Sequence, residues 1–331
     1  MARQVDARYS SRPLPAADLL CYSTAKGPRL IVLKTENGEV VPLPLGTFST
    51  AADHCDRADD FLVVRGFAEQ WYVPLPVRPD TKKVRLGKFW DCELSVDQRF
   101  VWAAELEKGP CALIDPRTRQ SVGSVDGTAG LRLEAALTAG LVFRRPQLDV
   151  GSQAHELLLY PYDGSEPMPL GRGDVLANTA EALVVSDFNA YTDRTAFLRV
   201  IRPSDGTDVS IAAPDGFAWS WFGSFSSSGD RLAIRLETRI DLLFDGRIRN
   251  GRESISHLAL IDAHAGTFDV IVEGATEGIG KPVWFGEDNW ISFGVSRSVL
   301  AVDVATRDLV RLKVSASPLT ELHNGDISTA T

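Results

Sequence analysis

The chain has 331 residues, 44% hydrophobic and 24% charged, the ordinary mix of a globular protein with apolar material for a large core. Its 35 basic and 44 acidic residues give a formal charge of -9, which excludes a general nucleic-acid binder, because that needs clustered lysine and arginine to displace counterions. No apolar run is long enough to cross a bilayer and no apolar signal core follows residues 1–8, so a cytoplasmic protein with no membrane partner is expected.

The first clear strand, residues 29–33, ends in the polar turn Thr35-Glu36-Asn37-Gly38. The same pattern, apolar strand then tight turn, returns at Val77, Asp115, Pro161, Pro203, Asp262 and Asp303, in steps of about 42, 38, 46, 42, 59 and 41 residues. A period in this range marks repeated supersecondary units. Each unit reads as four short strands, a to d. Strand b is the clearest, at 61–64, 100–104, 141–143, 182–185, 232–234 and 290–293, often after a turn such as Asp97-Gln98 or Gly229-Asp230. Strands c include 29–33, 112–114, 157–160 and 258–261, and several d strands end in Leu-Gly, at Gly46, Gly87 and Gly171. Residues 131–137 fit strand a of the fourth unit better than a helical turn, and helical periodicity is scarce throughout.

Seven units of four strands predict an all-β fold, a seven-bladed β-propeller of four-stranded antiparallel blades, in one domain. The expected boundaries are about 15–46 for blade 1, 47–87 for blade 2, 88–126 for blade 3, 127–171 for blade 4, 172–214 for blade 5, 215–275 for blade 6 and 276–314 for blade 7. Blade 1 shows no strand a of its own. The segment before Leu19 or the tail 315–331 has to supply it.

The stretch from Trp221 to Ile234, with Phe225-Ser226-Ser227-Ser228-Gly229-Asp230, resembles the "F-S-P-D-G-x-x-I-A" unit of TolB-like and WD-repeat propellers, and Trp90 to Val101 is a second copy. Leu113-Ile114-Asp115 with Thr118, and Val302-Asp303 with Thr306, resemble the "I-D-x-x-T" turn of YVTN-type propellers. The resemblance implies a propeller, a fold that hosts scaffolds, receptors and enzymes alike.

Three b–c loops are long, 144–154, 186–194 and 238–254, in consecutive units, and are expected to meet on one side of one face. The polar candidates there are Arg144, Arg145, Asp187, Asp193, Arg239, Asp241, Arg247 and Arg249, with Phe244 as an apolar anchor. Paired arginines suit a carboxylate or phosphate. The loop from Asp187 to Asp193 spaces oxygens like part of a calcium loop but lacks its glycine and closing glutamate, so a turn is expected and no metal. Asp53-His54-Cys55-Asp56 is set aside as a ligand cluster, since neighbours along an extended segment point to opposite sides. The Gly278-Ile279-Gly280-Lys281 segment lacks the hydroxyl of a phosphate loop, Ser224 to Ser228 lack the glycines of a nucleophile elbow, and no cofactor is expected. The four cysteines, none in a C-x-x-C, read as buried thiols. Trp90, Trp219, Trp221 and Trp284 fall in a strands, where packing between blades is favoured over stacking on a ligand. These residues point to a non-catalytic scaffold binding a protein or small ligand through the b–c face of blades 4–6. The alternative is an enzyme, a hydrolase, lyase or cyclase working at the mouth of the central channel. That alternative requires a carboxylate or histidine buried at that mouth with a shifted pKa.

Overall fold

The computed structural model describes residues 3–4, 9–48, 52–66, 69–87, 89, 91–104, 109–145, 155–186, 197–238, 255–275, 278–295 and 298–328. Among them every regular element is a strand, and no helix long and apolar enough to cross a membrane occurs. The fold is a seven-bladed β-propeller: six sheets have four antiparallel strands, and a seventh has four plus one added parallel strand. The chain forms two compact units, one holding blades 1–4 and the C-terminal residues from Leu319, the other holding blades 5–7 and the N-terminal segment.

In the first unit, blade 1 runs Ser317–Leu322, Asp18–Ser23, Arg29–Lys34, Val40–Pro42 in spatial order, so the tail supplies the strand that the first repeat lacks. Blade 2 is Ala52–Arg57, Phe61–Gly66, Glu69–Pro74, Val84–Gly87; blade 3 is Asp91–Leu94, Val101–Ala104, Cys111–Asp115, Gln120–Val125; blade 4 is Arg132–Leu137, Gly140–Arg145, Glu156–Pro161, Met168–Arg172. Strand b is covered on both faces by neighbouring sheets and therefore reads as an unbroken apolar run: Phe61, Leu62, Val63 and Val64 are all fully buried. The d strands lie at the sheet edge, and Gln120–Val125 is exposed along almost its whole length.

The tail is fastened beyond its strand. Leu319 and Leu322 join the apolar cluster of Leu20, Leu30, Val32, Phe48, Leu62 and Val64. Downstream, Asp326 accepts from Arg57 Nε at 2.7 Å and Arg57 Nη2 at 3.0 Å, while its carbonyl accepts from the Val77 amide at 2.7 Å.

In the second unit, blade 5 is Asp174–Asn178, Leu183–Ser186, Phe197–Arg202, Thr207–Ala212; blade 6 is Phe217–Phe225, Arg231–Thr238, Ser256–Asp262, Phe268–Ala275; blade 7 is Val283–Phe285, Trp290–Val295, Ser298–Asp303, Leu309–Leu312. The added strand, Arg3–Gln4, runs parallel to Phe268–Ala275, with Arg3 opposite Val272. Further along, the Ser10 amide donates to Leu309 O and Arg12 Nη1 to Asp303 Oδ2 at 2.7 Å, so the N-terminal segment also edges blade 7. Trp219 and Trp284 are core wedges. Trp219 is buried edge-on against Phe268 and donates to Ile211 O, and Trp284 donates to Ser224 O at 2.8 Å. Trp90 and the side chain of Trp221 lie outside the described residues. All four cysteines are buried free thiols.

Candidate functional site

The first strands of blades 2, 3 and 4 share a local pattern: two polar residues separated by a small or apolar one. They are His54-Cys55-Asp56, Asp91-Cys92-Glu93 and Arg132-Leu133-Glu134. Strand alternation sends the outer pair of each triplet to one face and the middle residue to the other. Cys55, Cys92 and Leu133 are buried in apolar clusters, whereas the polar pairs face one another and the ends of the b strands.

The deepest part of this polar seam is built on Arg65, which follows the apolar run from Phe61 to Val64. Its Nη2 lies 2.7 Å from Asp56 Oδ2, and its Nη1 donates both to Cys92 O at 2.7 Å and to Glu93 Oε1. Asp56 in turn holds His54, with Nε2 to Oδ1 at 2.8 Å. On the other side, Arg132 Nη2 donates to Asp91 Oδ1 at 2.8 Å, and Arg144 Nε lies 2.7 Å from Glu134 Oε1. Each acid of the blade 3 triplet therefore reaches a different neighbour, Asp91 to blade 4 and Glu93 to blade 2. Exposure is graded along the seam. The His54 side chain is 34% exposed and that of Glu93 11%, so solvent meets the imidazole and barely reaches the carboxylate.

Burial pushes the Glu93 carboxyl up to about 7; the negative charges of Asp56 and Glu134 add to the effect, and Arg65 opposes it. Burial works against the charge of Arg65 as well, but Asp56 and Glu93 outweigh it and keep the guanidinium protonated. Burial thus favours the protonated form of Glu93, and Asp56 Oδ1 holds the His54 imidazole at 2.8 Å. Among the described residues no three His, Cys, Asp or Glu side chains are grouped to hold a metal ion.

Of the rim residues expected from the sequence, Arg144 and Arg145 are described. They end the strand Gly140–Arg145, and each is engaged by an acid of its own blade, Arg144 by Glu134 and Arg145 by Glu156 at 2.9 Å. Asp187, Asp193, Arg239, Asp241, Phe244, Arg247 and Arg249 lie outside the described residues. In blade 6, Arg235 occupies the position that Arg65 and Arg144 hold in their b strands; it pairs with Glu237 and donates to Ile279 O at 2.9 Å. The sequence reading passed over Arg65, Glu93 and the pairing of His54 with Asp56. The readable signal was an arginine closing an apolar b strand in blades 2, 4 and 6, together with the polar–apolar–polar triplets that open blades 2, 3 and 4.

No protein-family model and no curated protein sequence matches the chain. Solved structures do. The chain is similar to an oligogalacturonate lyase from Vibrio parahaemolyticus at 9% identity and TM-score 0.57, covering 97% of this chain and 90% of that one. It is similar to Kuenenia stuttgartiensis hydrazine synthase at 13% identity and TM-score 0.54, covering 81% and 86%. It is similar also to apo AztD from Citrobacter koseri at 11% identity and TM-score 0.52, covering 93% and 98%. At such identities the likeness shows the fold alone. That fold is the propeller implied by the resemblance to TolB-like proteins, with no particular WD or YVTN repeat family distinguished.

Proposed function

We propose that the protein is a non-catalytic binding propeller that captures a protein or small ligand through the long b–c connections of blades 4, 5 and 6. One observation carries the reading. Where the described chain enters the first of these connections, Arg144 and Arg145 are already fixed by Glu134 and Glu156, a preset mixed charge that sets specificity more than affinity. The polar residues Asp187, Asp193, Arg239, Asp241, Arg247 and Arg249, with Phe244 as the apolar anchor, complete the proposed surface. Replacing residues 239–254 with a short turn should leave the unfolding midpoint unchanged and abolish capture of the partner in a pull-down from source-cell extract. Recovery of the same partner by the shortened form removes this surface from consideration.

A second reading, catalysis at the seam of blades 2–4, is favoured by Glu93, a buried carboxyl whose burial favours its protonated form beside the Arg65 guanidinium. The two readings separate cleanly. Glu93→Gln should leave partner capture intact, and only under the catalytic reading should it suppress metabolite turnover followed by NMR in extract. Equal turnover by variant and wild type discards the second reading.

A further inference from the structure

The last strand of a blade leaves one row of backbone N–H and C=O groups outside the ladder, and another strand can pair with that row. Proteins keep such edges from pairing with charge, proline, a very short strand or a covering segment. Six of the seven blades show one of these devices. Blade 1 ends in the three-residue strand Val40–Pro42, closed by proline. The last strand of blade 2 carries Arg85, that of blade 4 Pro169 and Arg172, that of blade 5 Asp208 and that of blade 7 Arg311. In blade 6 the added strand Arg3–Gln4 occupies the edge.

Blade 3 has none of the four. Its last strand, Gln120–Val125, is six residues long, with no charge and no proline, and among the described residues it pairs only with Cys111–Asp115. A bulge leaves Val122 without a partner between Ser121 and Gly123, and Val122 is 53% exposed. Charge returns at the two ends, with Arg119 just before the strand and Asp126 just after it, both exposed. Among the described residues neither of these two side chains has an ion-pair or hydrogen-bond partner, whereas Arg117 in the same turn is held by Asp60. The midpoint between Arg119 and Asp126 falls between Val122 and Gly123, at the middle of the strand. A second copy of the strand running antiparallel about that midpoint brings each Arg119 alongside the Asp126 of the other copy, and sets no like charges face to face. Parallel pairing in register would oppose arginine to arginine and aspartate to aspartate. A neutral strand whose ends complement each other therefore suits a second copy of this chain.

We propose that the last strand of blade 3 is the interface of a two-fold homodimer. Gln120–Val125 of two copies pair antiparallel, Arg119 of each copy closes on Asp126 of the other, and the two Val122 side chains lie close to the axis. The two blades then form one continuous sheet across the dimer. A contact built on six residues a side is small, so the dimer dissociates on dilution. The inference stands apart from both readings of function, because it uses neither the b–c connections nor the polar seam.

Sedimentation velocity of the full chain over a concentration series tests the edge. The wild type should pass from monomer to dimer as concentration rises. Val122→Lys, which places two ammonium groups near the axis, should raise the dissociation constant about tenfold or more. Arg119→Glu and Asp126→Lys should each do the same, because each sets like charges together at both ends of the pairing. An equimolar mixture of those two variants should recover the dimer, since in the mixed pair every end again joins opposite charges. A wild type that stays monomeric up to its solubility limit overturns the proposal, including the case in which an extended peptide from another protein binds this edge. Charge variants that dimerise as well as wild type, or a mixture no tighter than either variant alone, also overturn it. Should Val122→Lys fail to fold, the charge variants and their mixture decide alone.

Discussion

Asp326 shows how much one side chain can carry. Its carboxylate receives two hydrogen bonds from Arg57, and the side chains are only 14% and 8% exposed, so solvent screens the pair little. The same carboxylate accepts from the His323 amide at 2.8 Å and closes the turn that follows the tail strand. Truncating one partner of a buried pair strands the other charge, which costs about 3–5 kcal/mol, whereas an exposed pair gives under about 1 kcal/mol. Asp326→Ala should therefore lower the urea-unfolding free energy by roughly 3–5 kcal/mol. Arg57→Met, which removes the charge that would be stranded, should offset much of that loss in the double variant. A loss below about 1 kcal/mol would place the pair with ordinary surface contacts. Nothing in the sequence singles out this pair, because its members stand 269 residues apart. The Arg65–Glu93 contact was hidden for the same reason, since an arginine after four apolar residues reads as a solvated strand end until the neighbouring blade is in place.

At the scale of the element, the repeated turns were the most legible feature, and their chemistry explains why. In the c–d turns, Asp115, Asp262 and Asp303 each accept the backbone N–H two residues on, and Asp262 and Asp303 also accept the one after. For Asp262, the amides of Ala265 and His264 hold the carboxyl below its ordinary value. The stability this lends is present above about pH 4 and is lost in stronger acid, as the folded-state carboxyl protonates.

The a–b turns of blades 3 and 6 are two versions of one device. Ser95 and Ser226 each open a turn that places the residue three positions later in the left-handed region, Gln98 at φ 56° and Gly229 at φ 75°. Glycine holds that conformation without the clash a Cβ brings, a difference of about 1 kcal/mol. Gln98→Gly should raise the thermal midpoint, and Gly229→Ala, whose added Cβ meets nothing closer than Thr179 at 3.6 Å, should lower it by backbone strain alone. Opposite signs in differential scanning calorimetry confirm the shared geometry; equal signs refute it.

At the scale of the whole molecule, the decisive pairing joins the two ends of the sequence to sheets far from them. Blade 1 is complete only when Ser317–Leu322 lies against Asp18–Ser23, whose Leu19, Leu20 and Cys21 are fully buried. Truncation after Val314 should leave that strand as an open apolar edge, abolish the cooperative unfolding transition and drive the protein into aggregates. A peptide spanning residues 315–331 added during refolding should restore the transition. A truncated chain that melts cooperatively at the wild-type temperature would show the tail to be dispensable.

The sequence by itself determined the period, the strand content, the b strands that run apolar for three or four residues and the turns that punctuate them. All of these arise from interactions within about ten residues of chain and are written locally. It did not determine which end completes blade 1, that Arg3–Gln4 would join the edge of blade 6, or that His54, Asp56, Arg65 and Glu93 would form one polar seam. Those were decided by tertiary structure. The burial that raises the Glu93 carboxyl, and the Arg65 guanidinium it shares with Asp56, meet only once sheets distant in sequence are stacked side by side and water has been removed from between them.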